Sequence, residues 1–224
     1  MPVPSLSALP VRSLAVTPAT AATHRVTAVT ITDQNFFIAI YVLVLSLKYH
    51  RVRARINVLG VGLTAVQKRQ LEQFEGVRVF AADMTNTRGP TSRKGEAILT
   101  AEGDGSEYIA LMDGDCIATG DITPYLEAGE EAFFARWREG DEEAMIFNDF
   151  YRTGDHRGGI PKRVLETWRK DVGERETPAI TNTVLGGNLI VHRNHLDFVR
   201  QWQQQIYKVL PETLRVTHDM NSEA

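Results

Sequence analysis

Cysteine is almost missing from this 224-residue sequence: the single Cys116 excludes an internal disulfide and fits a reducing compartment, so a cytoplasmic chain is expected. Long apolar runs are missing too. The longest, FFIAIYVLVLSL at 36–47, has 12 residues; that is well below the roughly 20 needed to cross a bilayer, so it reads as a buried helix and not a transmembrane segment. It also starts too far into the chain, with no basic region before it, to be a signal peptide. No excess of one charge is present: 25 basic and 28 acidic side chains leave −3, which argues against a nucleic-acid partner. Internal repeats are absent as well.

What remains is an ordinary globular composition, 43% hydrophobic and 24% charged, enough to bury a sizeable core. Residues 1–23, rich in Pro, Ser, Thr and Ala with a single charge at Arg12, read as a mobile leader or an edge-covering arm. Residues 24–224 then form one domain.

Hydrophobic periodicity orders that domain. HRVTAVTITD (24–33) is a β-branched strand, and NFFIAIYVLVLSLKYH (35–50) a helix apolar almost all round, with Asp33 or Asn35 to cap it. ARINVLGVG (54–62) is a second strand, and LTAVQKRQLEQFEG (63–76) an amphipathic helix opened by Thr64 and closed by Gly76. VRVFAAD (77–83) is a third strand, a short helix lies near 93–103, and EYIALMDGD supplies a fourth strand. This alternation predicts an α/β fold with a mostly parallel central sheet flanked by helices. After residue 123 the regularity falls off: 127–145 and 148–159 read as helical or loop insertions. A strand over 180–193 with a Gly-Gly break and an amphipathic helix over 195–210 follow.

In open parallel sheets ligands sit beyond the carboxyl ends of the strands, where Asp33, Asp83 and the pair Asp113 and Asp115 all fall. The pair follows the apolar run YIALM, and a tight turn at Gly114 lets both carboxylates converge on one hard cation, Mg²⁺ or Mn²⁺, that keeps positions open for phosphate oxygens. Other readings stand beside this one. The pair also suits an acidic turn capping the next short helix, near Asp121 and Thr123. A phosphatase of the haloacid dehalogenase type places such a pair in its first strand with Thr or Val two residues on, where Ile117 stands here. An EF-hand lacks its third acidic ligand and its closing Glu.

Taken in order, these motifs resemble the nucleotide-sugar-dependent glycosyltransferases of the GT-A fold, particularly the glycogenin-like and lipopolysaccharide galactosyltransferase-like family. TITDQNFFIAIYVLVLSLK is similar to that family's opening strand and helix, and RINVLGVGLTAVQKRQLEQFEGVRVFAAD to its second unit. YIALMDGDCIATGDITPYL is similar to its metal-binding strand, VLGGNLIVHRNHLDFVRQW to its acceptor-side strand and helix, and THDMNSEA to its closing motif. The resemblance covers about residues 25–224. It implies transfer of a sugar from a nucleotide-diphosphate donor, UDP-linked, to a glycan or other hydroxyl acceptor, with retention at the anomeric carbon. It further implies that Thr30, Thr32, Asp33 and Asn35 meet the nucleoside, and that Asp113 and Asp115, with Gly114 between them, hold the ion at the diphosphate. Arg93 or Lys94 would face the phosphates, Gly186 and Gly187 would let backbone approach the sugar, Asn188 would bond it, and Asp219 would act beside it. Asp33 or Asn35 as a simple helix cap, and Gly186 and Gly187 as a bulge, are the structural counterparts of these roles.

One departure matters. The family supplies a third metal ligand, a His, beyond its closing motif, and this sequence stops first; either His218 substitutes, or the chain is a trimmed catalytic domain. Two rivals remain. A sugar-nucleotide nucleotidyltransferase opens with a glycine-rich, basic loop after its first strand, where this chain has TDQNFF. A non-catalytic nucleotide-binding scaffold of the same fold would bind without transferring.

Overall fold

The computed structural model describes residues 24–86, 88–126, 133–137, 166, 169–170 and 184–209. Its centre is β1 (Val26–Asp33), flanked by β2 (Arg55–Val61) and β4 (Tyr108–Leu111), both parallel to it. β3 (Val77–Ala81) adds in parallel outside β2. Beyond β4 the direction reverses: β6 (Val184–His192) runs antiparallel to β4, and β5 (Phe133–Trp137) antiparallel to β6. The six-strand order is β3-β2-β1-β4-β6-β5. Strand β5 corrects the expectation of helical or loop insertion around 127–145. Five residues amid acidic neighbours are too short to show an alternation, and the strand is defined by its partner.

Two cores sandwich the sheet. One gathers Ile40, Leu43, Val44 and Leu47 of α1 (Phe37–Tyr49), with Leu71 of α2 (Ala65–Glu72), against Val26, Ala28, Ile56 and Val58. The other sets Ala97 and Ile98 of α3 (Lys94–Leu99) and Val199 of α5 (Leu196–Val209) against Val29, Leu59, Ile109, Leu111 and Val191. With helices on both faces, the inner parallel strands are buried on both sides. That is why they read as continuous β-branched runs.

Local chemistry sets the boundaries. Thr64 and Gln67 form a reciprocal capping box at the start of α2, Gln67 N donating to Thr64 Oγ1 at 3.2 Å and Thr64 N to Gln67 Oε1 at 3.0 Å. The short α4 (Thr123–Leu126) is opened by Asp121, whose Oδ1 accepts from Thr123 N at 2.9 Å. Helix α1 departs from the fully buried helix expected: Ile38, Val42, Leu45 and Tyr49 are exposed along one stripe. One helix on one face of a sheet has a second side with no layer above it among the described residues.

Topology places the site. From β1 the chain winds through β2 to β3, then returns across β1 to β4, so β1 and β4 are neighbours whose crossovers lie on opposite faces. Register matters equally: β4 pairs with β1 only as far as Leu111 opposite Val29, while β1 continues to Asp33 beside Val61 of β2. Past Met112, whose N–H still reaches Val29 O at 2.9 Å, the two chains part and leave a crevice at the point where strand order reverses.

Candidate active site

The crevice holds a cavity of about 270 Å³ lined by Ile31, Thr32, Asp33, Phe36, Pro90, Thr91, Lys94, Asp113, Gly114 and Asp115. Its chemistry is three carboxylates and one ammonium in an apolar rim. The volume is near the lower end of the range for small-molecule sites, about 300–1,000 Å³.

Asp113 to Cys116 forms a tight turn, closed by Cys116 N–H donating to Asp113 O at 3.3 Å. It is fixed from two sides. A Cβ on Gly114 would stand 2.4 Å from Cδ1 of the buried Ile40, so only glycine lets the turn settle onto α1. A Cβ on Gly187 would stand 2.0 Å from Asp113 Oδ2, so the carboxylate lies directly on the β6 backbone. The other oxygen, Oδ1, accepts from Lys94 Nζ at 2.7 Å, and the same ammonium donates to Gly186 O at 3.0 Å. Lys94, at the start of α3, thus stitches the end of β4 to β6. Asp115 is exposed at the cavity mouth. The acidic-turn reading loses its support, because the cap of α4 is Asp121.

Asp33 also has a structural task. Its Oδ1 accepts from Asn35 N and Phe36 N, both at 2.9 Å, turning the chain from β1 into α1. The carboxylate still lines the cavity, so turn-former and cavity wall coincide in one side chain. Thr32 lines the cavity beside it, while Asn35 is exposed and Phe36 forms the wall instead.

Two expectations are corrected. Arg93 is fully buried (0% exposed), its guanidinium spent on Glu96 Oε2 at 2.7 and 2.9 Å and on Asp83 O at 3.0 Å. Lying inside the β3–α3 connection, it does not reach the cavity. Thr30 is likewise buried, beneath Leu43 and Val44 of α1, with an Oγ1 that has no hydrogen-bond partner among the described residues. Side chains alternate along β1, and burial on both faces leaves only the residues past β4's end open.

Asn188 lies next to this cavity, on an apolar one of about 340 Å³ between β4, β6 and α4. Burial, then the negative charges of Asp115 and Asp113, push the Cys116 thiol up from its ordinary value, so at neutral pH it stays protonated and is a poor metal ligand. His218 and Asp219 fall outside the described residues, as do residues 1–23. Among the described residues no group of three or more His, Cys, Asp or Glu gathers to hold a metal. The residues present nonetheless fit a hard dication: two carboxylates on one turn, with the Lys94 ammonium already standing as a cation against Asp113.

Sequence reasoning missed Ile31, Phe36, Pro90 and Thr91 as cavity walls. The aromatic at the start of α1 and the Gly89-Pro90 break were the signals available. Among the described residues no helix is long and apolar enough to cross a membrane.

No protein-family model and no curated protein sequence matches this chain. Solved structures do. The bifunctional glycosyltransferase WbbM, in its apo structure, matches 87% of this chain and 35% of its own at 13% identity, with a TM-score of 0.51. The galactosyltransferase LgtC, in complex with donor and acceptor sugar analogs, matches 83% of this chain and 66% of its own at 14% identity, TM-score 0.47. The glycosyltransferase GlyE of Streptococcus pneumoniae TIGR4 matches 82% and 38% at 15% identity, TM-score 0.46. The chain spans less than two thirds of the length of each. With the parallel β1–β4 block, the reversed β6 and the site at the switch point, it has the GT-A glycosyltransferase fold.

Proposed function

We propose that this chain is a nucleotide-sugar-dependent glycosyltransferase that uses a divalent ion, Mn²⁺ or Mg²⁺, to move a sugar from a UDP-linked donor to a hydroxyl acceptor with retention. One observation carries the reading: Asp113, Asp115 and Lys94 converge in a cavity at the strand-order reversal of a GT-A fold. Three carboxylates against one ammonium make that cavity net negative, which repels a diphosphate unless a cation bridges the two. Asp113 and Asp115 would hold that ion, which, when bound, stabilises charge building on the leaving diphosphate.

The protein's own residues do the rest. Asp33, Thr32 and Phe36 form the wall where a nucleoside would lie, the carboxylate offering an acceptor to a base or ribose donor and the ring a stacking surface. Lys94 supplies a positive charge to the phosphates. Gly186, with open space where a side chain would begin, leaves room for the sugar to approach β6, while Gly187 admits the Asp113 carboxylate, with Asn188 beyond. Asp219, a carboxylate placed by resemblance alone, is the residue to test as the group acting at the anomeric carbon.

A thermal-shift panel of UDP-, GDP-, TDP- and ADP-sugars, with and without Mn²⁺ or Mg²⁺, tests the reading. Stabilisation that needs nucleotide and ion together is expected, since a ligand binding only the native state raises its melting temperature. Slow Mn²⁺-dependent hydrolysis of the stabilising sugar nucleotide separates an enzyme from a scaffold. Unchanged donor affinity in Asp113→Asn/Asp115→Asn by calorimetry refutes the ligand assignment.

A further inference from the structure

Lys94 occupies an odd position for a phosphate-binding lysine. Its ammonium is clasped between Asp113 Oδ1, at 2.7 Å, and Gly186 O, at 3.0 Å. Its side chain is only 16% exposed. Meanwhile Oδ2 of the same aspartate lies against the β6 backbone, so closely that a Cβ on Gly187 would be 2.0 Å away. Asp113 therefore has a positive charge on one oxygen and backbone close to the other, while 35% of its side chain stays exposed to the cavity.

A dication approaching on its own enters a net-negative cavity but finds Asp113 already paired with a like charge that it must displace. Matters change when the ion arrives with a diphosphate. Phosphate oxygens offer the ammonium a better partner than one shared carboxylate, and two of its three N–H donors are held by groups it can leave without breaking any strand pairing.

We propose that Lys94 is an internal cation that guards Asp113 from a divalent ion arriving alone and yields it to one arriving with a diphosphate, so that metal and nucleotide bind as a unit. This rests on Asp113 and Asp115 being the ion's ligands. Lys94 then plays opposite parts in two states: competitor of the bare ion, ally of the ion–nucleotide pair.

The test follows Mn²⁺ binding to the full chain by the paramagnetic resonance of the free ion, once with Mn²⁺ alone and once with Mn²⁺ and UDP, or GDP if that is the nucleotide which stabilises the chain. Lys94→Met should bind Mn²⁺ alone about tenfold tighter than the parent and the Mn²⁺–nucleotide pair about tenfold weaker. Such an inversion of sign is something a merely structural lysine cannot give. Lys94→Gln, which keeps a donor for Gly186 O, should show the same inversion and serves if the Met variant does not fold. Equal Mn²⁺ affinity in parent and variant, or losses in both arms, overturns the proposal. Asp113→Asn/Asp115→Asn separates the two failures. If that variant loses Mn²⁺ while Lys94→Met leaves it unchanged, the ligands are right and the guard is wrong. If it binds Mn²⁺ as the parent does, the metal assignment itself falls and this inference with it.

Discussion

Gly186 and Gly187 are adjacent in sequence and opposite in tolerance. An added Cβ at Gly186 meets nothing within 4 Å, whereas at Gly187 it would meet Asp113 Oδ2 at 2.0 Å and Cγ at 2.9 Å. Gly187→Ala should therefore displace the carboxylate and cut affinity for the ion–nucleotide pair by about tenfold or more, with a small loss of stability. Gly186→Ala should leave both within about twofold. Calorimetry of the two variants side by side checks this. If both are equally impaired, then the reason lies in backbone conformation and not in the approach of Asp113.

At the scale of elements, the β3–α3 connection is organised around one buried cation. The Arg93 guanidinium binds Glu96 and the carbonyls of Asp83 and Asn86, and Gln203 of α5 adds a brace, its Nε2 donating to Ser92 O at 2.7 Å and its Oε1 accepting from Glu96 N at 3.1 Å. Arg93→Met keeps most of the apolar stem but strands those acceptors. We expect a loss of about 3 kcal/mol, at the low end for a broken buried pair because the Glu96 side chain keeps 26% of its surface in solvent. Nucleotide affinity of the folded variant should stay within about twofold, since Arg93 does not line the cavity. Urea unfolding and calorimetry measure the two quantities separately, and a selective loss of nucleotide binding would return Arg93 to the site.

At the scale of the molecule, several titrating groups push stability the same way. Hydrogen bonds from Thr85 hold the Asp83 carboxyl below its ordinary value, Arg25 does so for Glu107, and Thr123 for Asp121. His24 is held low by burial and then by the charge of Arg55, and Lys48 by burial. In each case the unfolded chain binds the proton more readily, so stability grows with pH through each group's range: the carboxylates gain their hydrogen bonds, and His24 and Lys48 lose a burial penalty on their charged forms. The melting temperature should rise from about pH 3 to pH 7, His24 acting below its ordinary 6.5 and the three carboxylates below their ordinary 3.8 to 4.5. Those carboxylates are solvent-exposed, so the acid limb should be shallow and should weaken further in high salt. Thermal melts across this range at two ionic strengths check both signs; a melting temperature that climbs on acidification contradicts them.

Much of the fold could be read directly from residue order. Continuous β-branched runs alternating with capped helices point to a parallel sheet, because each crossover helix must bury its apolar stripe against the strands it joins; this is why β1 to β4, the Thr64 cap and the position of Asp113 and Asp115 at a strand end were legible. Contacts remote in sequence were not. Lys94 reaches Gly186 across 92 positions, Arg93 turns inward while its neighbour turns to the cavity, and β5 becomes a strand only because β6 lies beside it. Residue types and their spacing determined which chemistry this chain carries, since propensity and periodicity act over a few residues. Which of two adjacent cations faces the carboxylate was decided by tertiary structure alone, because burial and partner geometry exist only once distant segments have met.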